Sequence, residues 1–275
     1  MELAHQLEPH LRRLRLSGML ETLQVRNQQA VEGQWSYLEF FSRLLEDEVE
    51  RRAQKQLNLR LRKAAVNSTK TLEGFDFNFN PQLNRQRVLQ LASCDFVRQK
   101  ANVLLCGPTG VGKSHLAQAL IHEACRQGFS AILINTHDLL QHLHGGRADG
   151  SLHHRFQKYL RTDLLVLDDF GLKPLKPSAA EDLYDIINGR YEKGSIMLTS
   201  NRAPSEWADL FSNPLLASAG LDRLAHHAEI MILNGDSFRA QSRRKLEEVK
   251  PTNFAPEPDG SPDALSFDTQ DLVHR

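Results

Sequence analysis

The chain has 275 residues, which is long enough for one sizeable hydrophobic core and a smaller module. Lys and Arg together number 34, as do Asp and Glu, and the three cysteines have no paired or metal-type spacing, which excludes a disulfide framework. Since there is also no signal-peptide pattern and no apolar run of membrane-spanning length, we expect a soluble, cytoplasmic protein without a membrane partner.

The zero net charge hides two regions of opposite sign. Residues 51–70 contain seven basic residues and no acidic ones: Arg51, Arg52, Lys55, Arg60, Arg62, Lys63 and Lys70. From residue 251 onward there are five acids against a single arginine: Glu257, Asp259, Asp263, Asp268 and Asp271. The basic run is interleaved with leucines on a predicted helix. One interpretation is a functional surface, which contacts either DNA phosphates or a protein partner. The other is an ordinary solvated helix face, and both interpretations stay open.

The first part of the chain has the apolar spacing of helices. Residues 1–34 are predicted to form two short helices or one kinked helix, with the break at Gly18. Ser36, followed by Glu39 three residues later, has the spacing of a capping box and predicts the start of a long helix. The apolar side of that helix is expected to comprise Leu38, Phe41, Leu44, Leu45, Val49, Leu57 and Leu61.

From residue 102 the pattern changes to strands that alternate with helices, which is typical of a mostly parallel sheet covered on both faces. Strands are predicted at 102–106, 131–134, 164–167, 196–199 and 230–233. The Pro- and acid-rich end predicts a disordered tail. The expected domains are therefore a helical domain over 1–68 for DNA or partner binding, a nucleotide-binding domain over 69–249 and the acidic tail over 250–275.

The segment Gly107-Pro108-Thr109-Gly110-Val111-Gly112-Lys113-Ser114 fits the G-x-x-x-x-G-K-[ST] pattern of a Walker A loop, or P-loop. An apolar strand leads into it and a helix leads out, so that backbone N–H groups and the positive helix end converge on one anion. Lys113 is expected to reach the β- and γ-phosphates, and the Ser114 hydroxyl to ligate Mg²⁺. The pattern predicts an ATP site.

Two further strands end in polar residues at the same predicted sheet edge. The run from Asp163 to Asp169 is an apolar strand that closes with two carboxylates, which is a Walker B pattern. Asp168 is predicted to hold the Mg²⁺ shell and Asp169 to orient the attacking water. Asn201 follows the next strand and is predicted to lie near the γ-phosphate, ahead of Ser200 and Thr199 as candidates.

Two arginines follow later in the chain. Arg223 is either a finger that reaches the nucleotide of a neighbouring subunit or the partner of Asp222 in a surface ion pair. Arg239 opens the final predicted helix and is expected to contact the phosphates of its own subunit. Together, in this order, the two arginines favour an ATPase that works as an oligomer.

Between the second and third predicted strands, residues 137–161 are rich in His and Arg. They predict two helices and a mobile loop. The histidines lack the spacing of a zinc site. The basic residues of this stretch, with Lys173 and Lys176, either line a DNA-facing channel in an oligomer or form solvated surface.

From about Phe75 to Gln241 the motifs resemble those of the IstB/DnaC family of AAA+ ATPases. The resemblance is carried by the P-loop and its flanks, Leu-Val-Leu-Asp-Asp-Phe-Gly, Arg190-Tyr191-Glu192, Thr199-Ser200-Asn201, Glu206-Trp207, Asp222-Arg223-Leu224 and Gly235-Asp236-Ser237-Phe238-Arg239. It is closer to IstB, the transposition helper, than to DnaC, the helicase loader. The resemblance implies an α/β P-loop AAA+ core, with a five-stranded mostly parallel sheet flanked by helices, preceded by a small all-α N-terminal domain.

The resemblance also implies an activity. It is that of an ATPase that uses ATP and Mg²⁺, binds double-stranded DNA as a homo-oligomeric ring or helical filament, and partners a cognate transposase. By motif position, Asn201 is the first sensor, Arg223 the finger and Arg239 the second sensor. Asp169 stands where many relatives carry Glu, so slow hydrolysis is expected. The alternatives are a helicase loader that uses ATP as a switch and, with no sign of a lid or acceptor pocket, a P-loop kinase.

Overall fold

Five parallel strands form the centre of the computed structural model, which describes residues 2–241 and the side chains of residues 5–241. The strands are β1 (Asn102–Cys106), β2 (Ala131–Asn135), β3 (Leu164–Phe170), β4 (Ser195–Ser200) and β5 (Ala228–Ile232). They are hydrogen-bonded in the order β2-β3-β4-β1-β5. The predicted α/β fold is confirmed. β3 runs three residues beyond its predicted end because Asp168 still pairs with Asn135 of β2.

The described residues also form ten α-helices. They are α1 (Glu2–Arg13), α2 (Ser17–Gly33), α3 (Tyr37–Ala64), α4 (Arg85–Ala92), α5 (Asp95–Arg98), α6 (Lys113–Arg126), α7 (Thr136–Asp149), α8 (Leu152–Leu160), α9 (Pro177–Arg190) and α10 (Pro214–Ala225). None of the helices in this part of the chain is long and apolar enough to cross a membrane. The predicted acidic tail over 250–275 lies outside the described residues.

The sheet separates two hydrophobic cores, and β1 shows how. Val103 and Leu105 belong to the core under α4, α6 and the end of α3, whereas Leu104 and Cys106 belong to the core under α7, α8, α9 and α10. This alternation is the period of two expected for a strand that is buried on both faces. All five residues of β1 are buried, so its end is a fixed support for the loop that follows.

The predicted break between the first helices is misplaced. The chain turns at residues 14–16, and Gly18 lies in the first turn of α2. A Cβ at position 18 would lie 2.7 Å from the Glu48 Cα and 2.8 Å from the Asp47 carbonyl oxygen. The Glu48 carboxylate accepts the Gly18 N–H at 2.6 Å. The glycine therefore allows two helices to pack closely and does not interrupt one.

Helix α3 begins where the sequence predicts, since the Ser36 hydroxyl accepts the Glu39 N–H at 3.2 Å. Its apolar residues, however, do not form one buried side. Leu44 is buried against α2, and Leu57 and Leu61 pack on the core under α6. The other four predicted residues are exposed by 43–82%: Leu38, Phe41, Leu45 and Val49. They lie on a different stripe of the helix, because α2 covers only the stripe that contains Leu44 and Glu48.

The prediction of a mobile loop within residues 137–161 is also wrong. α7 continues through Gly145 and Gly146, and only residues 150 and 151 separate it from α8. A Cβ at Gly146 would lie 2.9 Å from the Leu152 Cα, and one at Gly145 would lie 2.9 Å from Arg155 Nη1. The two glycines thus let the helices approach each other.

Candidate functional site

The P-loop joins the carboxyl end of β1 to the first turn of α6. Gly107 and Gly110 have φ angles of +146° and +91°, which side-chain-bearing residues rarely adopt. A Cβ at Gly107 would lie 2.0 Å from the Leu233 carbonyl oxygen, and one at Gly110 would lie 2.1 Å from the Ser237 hydroxyl. The segment from Leu233 to Phe238 therefore lies against the loop, and the Phe238 N–H donates to the Gly110 carbonyl at 3.1 Å.

Lys113 is the first residue of α6, and its ammonium group folds back onto the loop. Nζ donates to the carbonyl oxygens of Gly107 and Pro108, each at 2.7 Å, and the residue is only 6% exposed. A buried cation is costly unless it is hydrogen-bonded, and these carbonyls meet that need. The positive charge is thus held beside the backbone N–H groups at the start of α6, where a phosphate group would bind.

Asp168 brings three elements together next to the P-loop. The Ser114 hydroxyl of α6 donates to Asp168 Oδ1 at 2.9 Å, and the Thr199 hydroxyl of β4 donates to the same oxygen. The Thr136 hydroxyl donates to the Asp168 backbone carbonyl at 3.0 Å. A carboxylate beside a serine hydroxyl supplies the hard oxygen ligands that Mg²⁺ prefers, so this donor set fits the expected magnesium ion.

The neighbouring residue, Asp169, is held through both its backbone and its side chain. Its backbone N–H donates to the Thr199 hydroxyl at 3.0 Å, and its Oδ2 accepts from the Asn135 side-chain amide at 3.2 Å. The φ angle of +55° at Asp169 is one that Asp tolerates better than most residues. Sequence reasoning missed Asn135. Its only signal was a polar residue at the end of a strand that proved to pair with the Walker B strand.

Of the three polar residues at or just after the end of β4, the structure brings Thr199 to Asp168 and Asp169. Thr199 is fully buried and bonds to both Asp168 and Asp169, as described above. Asn201, the preferred candidate from the sequence, is exposed one residue beyond β4. Its role as a sensor of the γ-phosphate stays a prediction.

Arg223 lies at the other edge of the sheet. The side chain of Asn102, the first residue of β1, donates to the carbonyl of Leu224 at 2.9 Å, which places the end of α10 at the amino end of that strand. The P-loop follows the carboxyl end of β1. That end lies roughly 13 Å from the amino end, since the strand rises about 3.3 Å over each of four residue steps. Instead of a pair with Asp222, Arg223 donates to the Tyr184 hydroxyl at 2.8 Å.

Arg239 belongs to a different unit of the chain from the P-loop. By its contacts the chain divides into two units, residues 1–238 and residues 239–275, and Arg239 begins the second. Its expected contact with the phosphates stays a prediction.

The three cysteines are buried free thiols, as predicted. Burial raises the pKa of Cys94, Cys106 and Cys125 to about 11 in each case. At neutral pH they are therefore protonated, which makes them poor nucleophiles and poor metal ligands.

The chain matches a known protein family over most of its length. The family described as IstB-like ATP binding protein matches residues 9–246. The chain belongs to this family. A putative ATP-binding protein in an insertion sequence of Mycobacterium tuberculosis is 41% identical to it, over 85% of this chain and 93% of that protein. The insertion sequence IS21 putative ATP-binding protein of Pseudomonas aeruginosa is 36% identical, over 88% of this chain and 91% of that protein.

Solved structures agree on the fold of the IstB-like chain. AMPPCP-bound DnaA from Aquifex aeolicus matches with a TM-score of 0.53 and 26% sequence identity. The match covers 67% of this chain and 56% of that one, so that the chain spans about half of the length of DnaA. A putative primosome component from Streptococcus pyogenes matches with a TM-score of 0.50 and 22% identity, which supports the fold alone. The IstB-like chain therefore has the P-loop AAA+ fold predicted from its motifs.

Proposed function

We propose that this IstB-like chain hydrolyses ATP with Mg²⁺ and uses that reaction to control its assembly on double-stranded DNA, where it serves an insertion-sequence transposase. ATP binding follows from the family. The proposal of hydrolysis is supported mainly by the convergence of Ser114, Asp168 and Thr199 beside the P-loop lysine. It joins a phosphate-binding loop to an oxygen site for a metal, which is the combination that phosphoryl transfer requires.

Each residue of the site then has one task. The backbone N–H groups of the P-loop and the first turn of α6 bind the phosphates, and Lys113 neutralises their charge. Ser114 and Asp168 would hold Mg²⁺, which supplies further positive charge to the phosphate oxygens. Asp169, held by Asn135, orients the attacking water. These tasks are positioning and charge stabilisation, which supply most of the catalysis in phosphoryl transfer.

The proposed oligomer follows from the position of Arg223. An arginine finger stabilises the charge that develops on the transferred phosphoryl group. Arg223 lies at the sheet edge opposite its own P-loop, so it reaches a nucleotide only if that nucleotide belongs to a neighbouring subunit. A head-to-tail contact of this kind builds either a ring or a helical filament.

The proposed DNA contact rests on helix α3. Two residues of its basic run are engaged inside the chain, since Arg51 lies 2.8 Å from Glu21 and Arg52 lies 2.6 Å from Glu48. Three others are exposed on the second half of the helix: Lys55, Arg62 and Lys63. Exposed cations on a rigid helix suit contacts to DNA phosphates. A transposase is favoured over a replicative helicase as protein partner because the relatives are named as insertion-sequence proteins.

The hydrolysis part of the proposal is tested by two substitutions. Lys113→Ala should abolish ATP binding, because the loop loses its cation. Asp168→Asn should retain measurable ATP binding but lower the hydrolysis rate at least about a hundredfold, because the Mg²⁺ ligand is weakened. Binding of a fluorescent ATP analogue and release of phosphate measure the two effects. Lys193→Ala, which removes an exposed lysine outside the site, is the matched control. Normal ATP binding by Lys113→Ala would overturn the assignment of the site.

A further inference from the structure

The guanidinium group of Arg223 is held by one aromatic residue of α9. Nη1 donates to the Tyr184 hydroxyl at 2.8 Å, and the guanidinium carbon lies 5.4 Å from the centre of the Tyr184 ring. Nη1 also lies 3.5 Å from the carbonyl oxygen of Ala219, one turn earlier on α10. Tyr184 thus offers both a hydrogen-bond acceptor and an aromatic face to a single cation.

Tyr184 is itself on a rigid support. Near the start of α9, the Asp182 carboxylate is 2% exposed and accepts two hydrogen bonds from Arg147 of α7, at 2.5 and 2.6 Å. At the end of α9, the fully buried Arg190 donates to the carbonyls of Tyr159 and Ser195, at 2.5 and 2.7 Å. Tyr184 lies between these two anchors, so α9 has little freedom to shift.

Helix α10 also packs closely on the ring. A Cβ at Gly220 would lie 3.5 Å from Tyr184 Cδ2, an ordinary van der Waals distance, so α10 passes directly beside the ring. The arginine and its tyrosine are therefore on two elements that are packed directly against each other.

Without this contact, Arg223 would have room to move. A cavity of about 190 Å³ lies beside it, and its lining includes Lys100, Tyr191, Glu192, His226 and His227. A long arginine side chain loses much conformational freedom when it is fixed in one position. A side chain fixed before the subunits assemble loses less of that freedom when the neighbouring nucleotide arrives.

We propose that Tyr184 is the positioning residue of the arginine finger: it holds Arg223 ready for the nucleotide of the next subunit. This inference rests on the proposed role of Arg223 between subunits. Tyr184 contacts Arg223, which lies at the sheet edge opposite the P-loop of its own subunit. A change at Tyr184 should therefore act on the neighbour's hydrolysis and leave its own subunit's site unaffected.

The test separates these two sites by mixing subunits. Acceptor subunits carry Arg223→Ala, so they hydrolyse ATP only with a finger from a neighbour. Donor subunits carry Asp168→Asn and Asp169→Asn, so they supply a finger but hydrolyse poorly. Tyr184→Phe in the donor removes the hydroxyl and should lower the phosphate release of the mixture about five- to tenfold. Tyr184→Leu removes the ring as well and should lower it further.

Three controls complete the design. Tyr184→Phe in the acceptor should have no effect, since that subunit's arginine is already absent. Tyr191→Phe in the donor makes the same chemical change at a tyrosine that lines the cavity beside Arg223, where its hydroxyl lies 3.0 Å from His226 Nδ1, and should also have no effect. Thermal unfolding and ATP affinity should be unchanged for Tyr184→Phe.

The outcomes distinguish this inference from the proposed function. A loss seen only with the altered donor supports the positioning role. An unchanged rate, an increased rate, or an equal loss with the altered donor and acceptor would overturn it, while the proposed function stands. If the donor and acceptor show no joint activity at all, the finger between subunits is refuted, and the positioning role is refuted with it.

Discussion

At the scale of single residues, Thr199 of β4 contacts both Asp168 and Asp169, and Asn135 of β2 donates to the Asp169 carboxylate. Lys113, Ser114 and Asp168 belong to local patterns whose spacing alone predicts phosphate and metal chemistry. Thr199 and Asn135 reach the site through register: Thr199 pairs with Leu105, and Asn135 pairs with Asp168. Residues so distant in the sequence meet only once the strand order is known. The sequence therefore pointed to Asn201, the amide at the end of β4, as the first choice.

The structure supports a direct test of Thr199. Thr199→Val removes a hydroxyl donor from Asp168 and an acceptor from the Asp169 N–H while the side-chain volume stays similar. We expect the hydrolysis rate to fall about ten- to hundredfold, because the Asp168 carboxylate and the Asp169 backbone each lose a positioning contact, with a smaller change in ATP affinity. Steady-state phosphate release and nucleotide titration measure the two effects. Asn201→Ala is the informative comparison. If only Asn201→Ala slows hydrolysis, Thr199 has no catalytic importance.

At the scale of elements, the start of α3 was predictable but the face it buries was not. A helix cap is a local signal, and Ser36 with Glu39 provides it. The face of a helix that becomes buried depends on which other elements pack against it. α2 covers the side of α3 that carries Leu44, and the core under α6 covers Leu57 and Leu61. The stripe from Leu38 to Val49 is apolar in sequence and exposed in structure, so apolar spacing predicted the helix and not its contacts.

The prediction at the scale of elements concerns DNA binding by the exposed charges on the second half of α3. The triple change Lys55→Ser, Arg62→Ser and Lys63→Ser removes three exposed charges. We expect weaker binding to all double-stranded DNA sequences and a salt dependence of log K that is shallower by up to about three. Titration of labelled DNA over a range of salt concentrations measures both effects.

The matched control for α3 replaces the two engaged arginines, Arg51 and Arg52, by Ser. These residues pair with Glu21 and Glu48, so their loss should change the DNA affinity less and act mainly on the stability of the N-terminal helices. DNA affinity that is unchanged in the triple variant would make the second half of α3 a protein-docking or solvated face.

At the scale of the whole molecule, the two halves of the proposed catalytic machinery lie at opposite edges of one sheet. The P-loop, Asp168 and Asp169 lie at the carboxyl edge, and Arg223 lies at the amino edge. The fold was predictable because strand and helix patterns alternate regularly after residue 102. Only the order of the motifs along the chain could be predicted from the sequence. Their separation in space could not, since distance across a sheet depends on strand direction. With the proposed role of Arg223 as a finger, this separation requires a neighbouring subunit for ATP hydrolysis.

The most direct test of this account is the ATPase rate per subunit, measured against protein concentration with and without double-stranded DNA, together with electron microscopy of the same mixtures. The account predicts a rate that rises with protein concentration and with DNA, and rings or filaments on DNA that form with ATP and are absent with Lys113→Ala. A rate per subunit that is independent of both protein concentration and DNA, from particles that remain monomeric, would contradict it.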